Sequence, residues 1–410
     1  MTTNTLSRAQ LLIMAVTTGT TIANIYYAQP ILAQIGASFG TSAAGVGFLP
    51  ALSQWGMALG ILFIVPLGDM LDRKRLVVTL ELALGVVLIA MTATRDIRAA
   101  GFISLLIGVC TAAVQIVVPM AASLAAPNER GKVVGLVFTG TLIGILSSRI
   151  VSGLAADWIG WRLVYAMSGT AALAIALLVH LTLPCQRGEH RDGYATLLVS
   201  TARQLARFPE LRRLSLMGGL AFAAFCCFWT ILTFQLSGPA FRFDSDRIGL
   251  FGVVAIGGAL AAPWFGRQAD RSSPQRAQLL TTGLLFGGCL VAALLPSSII
   301  ALIVATFVID VGVQGTQVNN LAQLYGLDEK AHSRINAAFM IVFFIGGAIG
   351  TASGAMAWQA GGWHGAASAL CGWSLAAFLV TLYHERSSRR SAALRRHTDN
   401  RLAVPKPRSS

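Results

Sequence analysis

Of 410 residues, 55% are hydrophobic and only 12% are charged, and the mean hydropathy is +0.67. A soluble globule of this length needs more polar surface than that, so the composition excludes one and places the chain in a bilayer. The formal net charge of +14 would suit a nucleic-acid partner, but where the charge lies excludes that reading too.

Apolar runs of roughly 18 or more residues recur along the chain, and about 20 are needed for a helix to cross a hydrocarbon core about 30 Å thick. They predict an all-α membrane protein of twelve spans, at residues 9–35, 43–67, 76–94, 99–125, 133–156, 163–184, 211–237, 247–265, 276–295, 298–324, 335–358 and 364–384. No signal-peptide cleavage pattern precedes the first run, so Ala9 onward reads as a retained span. The joins at 94–99 and 295–298 are short enough that the helices they connect must be antiparallel neighbours. With the amino terminus inside, 25 of the 31 Lys and Arg residues fall on the inner side and 5 on the outer, counting those at span ends with the loops, leaving only Arg149 deep within a span. This asymmetry is the positive-inside pattern; it predicts cytoplasmic termini and ties the charge to topology rather than to nucleic acid. The basic tail from Glu385 to Ser410 reads as solvated or facing lipid headgroups. None of the six cysteines, Cys110, Cys185, Cys226, Cys227, Cys289 and Cys371, has Cys-x-x-Cys or Cys/His ligand spacing, so neither a disulfide nor a metal is expected.

In chain order, the first span carries Thr17, Thr21 and Asn24 on one stripe, followed by Tyr26, Tyr27, Gln29 and Pro30. Such a stripe either borders a polar cavity or makes interhelical hydrogen bonds beneath an interfacial tyrosine belt. Between spans two and three, Gly68-Asp69-Met70-Leu71-Asp72-Arg73-Lys74-Arg75 forms a tight charged loop in which Asp72 can cap a helix. Glu81, just inside span three, reads as a structural carboxylate that snorkels or pairs with a loop cation. The fourth span contains Gln115 and Pro119. Span five, with Gly135, Gly140, Gly144 and Gly153 around Ser147, Ser148 and Arg149, can pack closely on a neighbour. Residues 185–210, with Arg187, Arg191, Arg203 and Arg207, form the linker and have room for an amphipathic helix on the headgroups. Span seven sets Phe222, Phe225 or Cys226, Trp229 and Thr233 at helical spacing, which suits either helix packing or a cavity for flat, partly apolar solutes. In span ten Asp310, Gln314 and Gln317 share a face, with Thr316 and Asn319 close by, and such polarity should point inward. Span eleven has Gly346, Gly347, Gly350 and Gly354.

Landmarks repeat at nearly half the chain length. Gly68 and Gly266 each precede Asp-Arg by four residues, at Asp72-Arg73 and Asp270-Arg271, with an offset of 198 residues. Gly160-Trp161-Arg162 is echoed 202 residues later by Gly362-Trp363-His364, and Asn128-Glu129-Arg130 more loosely by Asp328-Glu329-Lys330. The register predicts two homologous halves, 1–184 and 211–384, joined by the 185–210 linker and followed by the 385–410 tail.

The loop at Gly68, Asp72 and Arg73 resembles the signature Gly-x-Leu-Ala-Asp-Arg-x-Gly-Arg-Arg of the major facilitator superfamily, without its second Gly. Ser104, four residues before Gly108, stands where many proton-coupled members carry arginine. Gly140 and Gly144 match the glycine-rich antiporter motif, with Ile145 in place of its proline and Ser148-Arg149 in place of its last glycines. With the Asn24 to Pro30 segment, the chain from 9 to 384 looks most like bacterial twelve-span members of the drug and arabinose efflux type. The resemblance implies two six-helix bundles about a central cavity, a monomer in the bacterial inner membrane, and proton-coupled export of a small organic solute by alternating access. It also implies a hinge and latch at Gly68, Asp72, Arg73 and their counterparts Gly266, Asp270 and Arg271. Asn24, Tyr26, Tyr27, Gln29, Gln115, Arg149, Phe225, Trp229, Gln314 and Gln317 are the candidate substrate contacts, and Asp310 the candidate proton carrier. Asp310 and Arg149 are the most deeply placed ionisable groups; they either form a permanent pair or meet only as access switches. No Walker-type sequence occurs, so ATP and other cofactors are not expected. Uptake of an organic acid held by Arg149, or a non-transporting receptor on the same fold, are the competing readings.

Overall fold

The computed structural model describes residues 6–126, 128–186, 193–270, 274–328 and 331–402, with the backbone alone at 262–270 and 387–402. Arg187, Arg191, Arg271, Glu329 and Lys330 lie outside the described residues. Fourteen helices follow one another: α1 (Arg8–Ala23), α2 (Ala28–Phe39), α3 (Ala43–Phe63), α4 (Arg73–Thr92), α5 (Ile97–Thr111), α6 (Val114–Leu124), α7 (Arg130–Ile159), α8 (Trp161–Thr182), α9 (Tyr194–Arg207), α10 (Pro209–Ser237), α11 (Ser245–Asp270), α12 (Pro274–Leu294), α13 (Ile299–Tyr325) and α14 (His332–Leu402). The protein is an all-helical membrane protein: among the described residues nine helices are long and apolar enough to cross a bilayer, or ten if the bent pair α1 and α2 counts as one span. α14 breaks at Gly361 and Gly362 and folds back, bringing Trp373 Nε1 to 2.9 Å from Ser353 Oγ, so it carries two of the expected spans. Apolar side chains such as Leu12, Phe102, Ile143, Leu260 and Ile300 stay exposed, as a lipid-facing belt requires.

Several helices begin where a short polar side chain can take the first free amide. Ser7, Ser42, Asp72, Asp96 and Ser298 cap α1, α3, α4, α5 and α13, and Ser7 and Gln10 form a reciprocal capping box. The first span bends by 41° between α1 and α2. Pro30 lacks the amide that would bond the Tyr26 carbonyl, and the Asn24 side chain donates to the Thr20 carbonyl at 2.9 Å, so the helix yields at Asn24–Tyr27.

The repeated Gly-Trp pairs share a geometry. Gly160 (φ 81°) and Gly362 (φ 56°) both take a positive φ that side chains resist, one turning α7 into α8 and the other turning the two arms of α14. The tryptophan after each is buried, and each indole donates to a neighbouring segment, Trp161 to Ser38 Oγ at 3.2 Å and Trp363 to the Ala293 carbonyl at 3.5 Å.

Close packing follows the glycines. A Cβ on Gly140 would lie 2.8 Å from the Ala15 Cα, and one on Gly144 2.6 Å from the Gly19 Cα, so the glycines that carry the antiporter resemblance seat α7 on α1. Gly144→Leu should therefore lower stability by about 1 to 3 kcal/mol through overpacking. A lower thermal-unfolding midpoint in detergent checks this against Gly135→Ala, whose added methyl meets nothing within 4 Å and should not lower it.

One core spans both halves of the chain, joining Ile22, Tyr26 and Met57 to Phe222, Trp229 and Phe343. α10 is buried on all sides because it lies against α14, α13 and α2. At the face away from the linker, Ser42 Oγ donates to Gln359 Oε1 at 2.9 Å, and α7 packs on α11 through Gly153 and Gly249. At the linker face, α9 is a helix with one face packed on protein. Its Leu197, Thr201 and Gln204 are buried, Tyr194 donates its hydroxyl to the Phe63 carbonyl at 2.7 Å, and Arg207 pairs with Asp328 at 3.1 Å. The buried face of the helix thus rests on segments of both halves of the chain.

Candidate functional site

Arg149 sits on α7, 0% exposed, and is the largest charged side chain in the centre of the molecule. A charge at the middle of a bilayer costs about 2.5 to 3.5 kcal/mol even on lenient scales, so its surroundings must compensate. They do so in three ways. Gln29, just past the α1 to α2 bend, accepts from Arg149 Nε at 2.7 Å. Three rings face the guanidinium, Trp229 at 4.1 Å, Tyr26 at 5.1 Å and Phe225 at 5.4 Å from its carbon, each worth about 0.5 to 2 kcal/mol. The third contribution is electrostatic, from Asp310 on α13.

Asp310 is buried but does not form an ion pair with Arg149; among the described residues the ion pairs are Arg73–Asp69, Arg207–Asp328 and Arg213–Glu210. The reason lies in α11, which separates α7 from α13. A Cβ on Gly252 would stand 3.4 Å from the Arg149 Cβ, and one on Gly258 2.8 Å from the Asp310 Cβ. Six residues of helix separate those glycines, about 9 Å along the axis. The two charges thus share a wall at different levels.

Several buried polar atoms lack a hydrogen-bond partner: at the guanidinium Arg149 Nη1 and Nη2, Gln29 Nε2 and Trp229 Nε1, and elsewhere in the core Asp310 Oδ2 and Gln54 Oε1. Leaving such a group unpaired costs about 1 to 3 kcal/mol, and native proteins rarely tolerate a cluster of them without a use. Gln54 was missed by sequence reasoning, although an amide in the middle of an apolar span was the signal. Its Nε2 reaches Cys226 Sγ and Thr351 Oγ1, each at 3.4 Å, so it joins α3 to α10 and α14.

The other sequence candidates divide. Tyr26, Gln29, Arg149, Phe225 and Trp229 come together at this centre. Phe222 instead stacks on Phe343 at 3.9 Å, as packing, and Thr233 donates to the Gln29 carbonyl at 2.9 Å, tying α10 to α2. Asn24 and Tyr27 turn toward α8, where Ser168 donates to Asn24 Oδ1 at 2.7 Å and lies near the Tyr27 ring. Gln115, Gln314 and Gln317 are half-buried, Gln317 with an unpartnered Oε1. Thr316 bonds Thr281 at 3.0 Å on α12. A second polar network, Arg213 to Gln278 and Gln323, with Gln278 donating to Asn320 Oδ1 at 3.0 Å, braces α10, α12 and α13 near the linker face.

The charged loop is built on local bonds. Asp72 Oδ1 accepts from the Arg75 amide at 2.9 Å as the α4 cap, while Arg73 reaches the Gly68 carbonyl and Asp69, each at 3.0 Å, and Ser123 on α6. The cation is thus paired with Asp69 rather than with its own neighbour. A shallow cleft beside the loop is lined by Pro66, Asp69, Leu197, Thr201, Ser333 and Arg334, so both halves and α9 meet there. In the partner loop, Gly266 and Asp270 belong to α11 but their side chains fall outside the described residues, as does all of Arg271.

An all-helical bundle whose spans converge on a buried polar centre fits a membrane transporter. The Major Facilitator Superfamily profile matches residues 11–350 and, in a second match, 214–408, and the chain belongs to that family. It is 37% identical over 362 residues, 88% of this chain and 91% of the relative, to a protein of Escherichia coli O157:H7 named as the uncharacterized transporter YgaY. Its fold is similar to that of the nucleoside transporter NupG, with a TM-score of 0.75 at 12% identity, covering 91% of this chain and 99% of that one. It is also similar to a bacterial homologue of the human lysosomal transporter Spinster in an inward-facing, occupied conformation, with a TM-score of 0.73 at 14% identity, covering 92% and 96%. The protein is a multi-pass membrane transporter of this superfamily.

Proposed function

We propose that the protein is a proton-driven exporter of small, flat, partly apolar organic solutes that carry an anionic or hydrogen-bond-accepting group. The observation that carries this reading is the cluster of unpartnered donors, Arg149 Nη1 and Nη2, Gln29 Nε2 and Trp229 Nε1, set among aromatic faces. A solute with a carboxylate or carbonyl would satisfy the donors, and its flat apolar body would stack on Trp229 and Phe225. Asp310, close enough to Arg149 to be felt but not paired with it, is suited to gain and lose a proton as access changes. The halves 1–184 and 211–384 would rock about this centre, in a bacterial inner membrane with both termini in the cytoplasm and the protein acting as a monomer. Import of an organic acid on the same Arg149 fork is the competing direction, favoured by those same unpaired donors.

Flux of candidate aromatic acids into everted vesicles under an imposed pH gradient tests the proposal. Accumulation inside them supports export, and loss from preloaded ones supports import. A purified protein that moves no solute in liposomes would support the receptor reading instead.

The Asp72 loop would act as the latch between inward- and outward-open states. Because asparagine caps a helix about as well as aspartate, Asp72→Asn should preserve folding and keep substrate affinity within a few-fold while slowing turnover several-fold. Wild-type turnover in that variant removes Asp72 from the latch.

A further inference from the structure

Glu81 does not behave as the snorkelling carboxylate that its sequence position suggested. It lies about 12 Å along α4 from Arg73 at the helical rise, is 0% exposed, and has no cation within ion-pairing distance among the described residues. Its Oε1 is 2.6 Å from Thr21 Oγ1 on α1, and its Oε2 is buried without a partner. Thr21 Oγ1 is also 2.5 Å from the Thr17 carbonyl. A hydroxyl has one proton, yet both of its close neighbours are acceptors unless one of them brings a proton of its own.

The two protonation states therefore have different hydrogen-bond directions. With Glu81 protonated, its O–H donates to Thr21 Oγ1, and Thr21 donates to the Thr17 carbonyl; both short contacts are satisfied. With Glu81 ionised, Thr21 must turn its proton to the carboxylate and abandon the carbonyl, leaving a buried negative charge with one donor. Such a charge is costly in a membrane interior and draws in water or opens the contact between α1 and α4.

We propose that Glu81 is a proton-binding site of the transport cycle, separate from Asp310 and enclosed in the amino-terminal half, with Thr21 transmitting its charge to α1. The only bond made or broken is the carboxyl O–H, and the proton comes from and returns to water. Thr21 lies in the last turn of α1, directly before the bend that delivers Tyr26 and Gln29 to Arg149, so the charge on Glu81 acts on the segment that holds the substrate-site arginine.

The surroundings favour this assignment. α8, α5 and α6 pack on α4, and the titratable group facing Glu81 from them is the Cys110 thiol of α5. Arg162 of α8 is bound to the Thr92 and Thr94 carbonyls, Tyr165 of α8 faces Tyr27, and His180 lies in the last turn of α8. Asp96 and Arg98 stand at the start of α5, Asp72, Arg73, Lys74 and Arg75 at the start of α4 with Asp69 just before it, and Arg8 at the start of α1; α6 carries no ionisable side chain. No cation is thus placed to hold Glu81 permanently ionised.

The role in transport rests on the proposed proton coupling, but proton binding itself does not, and the experiment separates them. Infrared difference spectra of the full-length protein in liposomes, stepped from acid to alkaline buffer, report neutral carboxyl groups through their carbonyl stretch. A pH-dependent band that is lost in Glu81→Gln and shifts to higher frequency in Thr21→Val is the expected result. Spectra unchanged by Glu81→Gln, or a Glu81 band that persists at every pH, would overturn the proposal. If Glu81→Gln does not fold, Thr21→Val decides alone: a shifted band supports the site and an unshifted one overturns it. A wild-type protein with no proton-driven flux would defeat the coupling reading while leaving this spectrum as it is.

Discussion

Arg149→Lys should weaken binding of an anionic aromatic solute roughly 10- to 100-fold, equivalent to about 1.4 to 2.8 kcal/mol, while keeping the positive charge at the centre. The guanidinium is planar, stacked 4.1 Å from the Trp229 ring centre, and anchored through Nε to Gln29, which leaves its two Nη groups side by side for a fork onto a carboxylate. An ammonium keeps the charge but loses the fork, the stack and the Gln29 anchor. Titration calorimetry on purified protein measures the change. Unaltered affinity in Arg149→Lys would mean that the arginine acts only as a point charge, and the substrate's acceptor group would have to be sought elsewhere.

Asp310→Asn should abolish pH-gradient-driven flux, to background, while solute exchange at equal pH continues. The amide has nearly the shape of the carboxyl, so the close fit against Gly258 of α11 is retained and only the ability to carry a proton is removed. Transport assays in proteoliposomes with and without a pH gradient separate the two activities. Undiminished proton-driven flux in the variant would remove Asp310 as the coupling group and point to Glu81 instead.

How far the fold could be read beforehand varies with the physics of each element. Long apolar runs have one cheap solution in a membrane, so the spans were readable, and the repeated Gly160 and Gly362 landmarks fell between them. The packing role of Gly140 and Gly144 was visible in their spacing. The bend after Asn24 was not, because it depends on how neighbouring bonds are replaced once the chain has packed. At the site, Arg149 and Asp310 stood out because charge is rare in a span, and Tyr26, Gln29, Phe225 and Trp229 because they lay on polar or aromatic stripes. A stripe says which face is special and not what it meets. Asn24 and Tyr27 share a segment with Tyr26 and Gln29 yet turn to α8, and Phe222 shares a stripe with Trp229 yet packs on Phe343. The contact of Glu81 with Thr21 was not visible because the two lie 60 residues apart on different helices.

The linker helix has a mechanical meaning. α9 is pinned at one end by Tyr194 to the Phe63 carbonyl and at the other by Arg207 to Asp328, which belong to opposite halves of the chain. The pins are 13 residues apart, about 20 Å of stiff rod at the helical rise, so the halves cannot separate at this face without releasing one of them. One pin is a single neutral hydrogen bond and the other a solvent-exposed ion pair, each worth no more than about 1 kcal/mol. A fastening of that strength yields to thermal motion but still biases the position at rest. If the halves rock as proposed, the linker would work as a detent, marking one end of the stroke without adding a barrier that would limit the cycle.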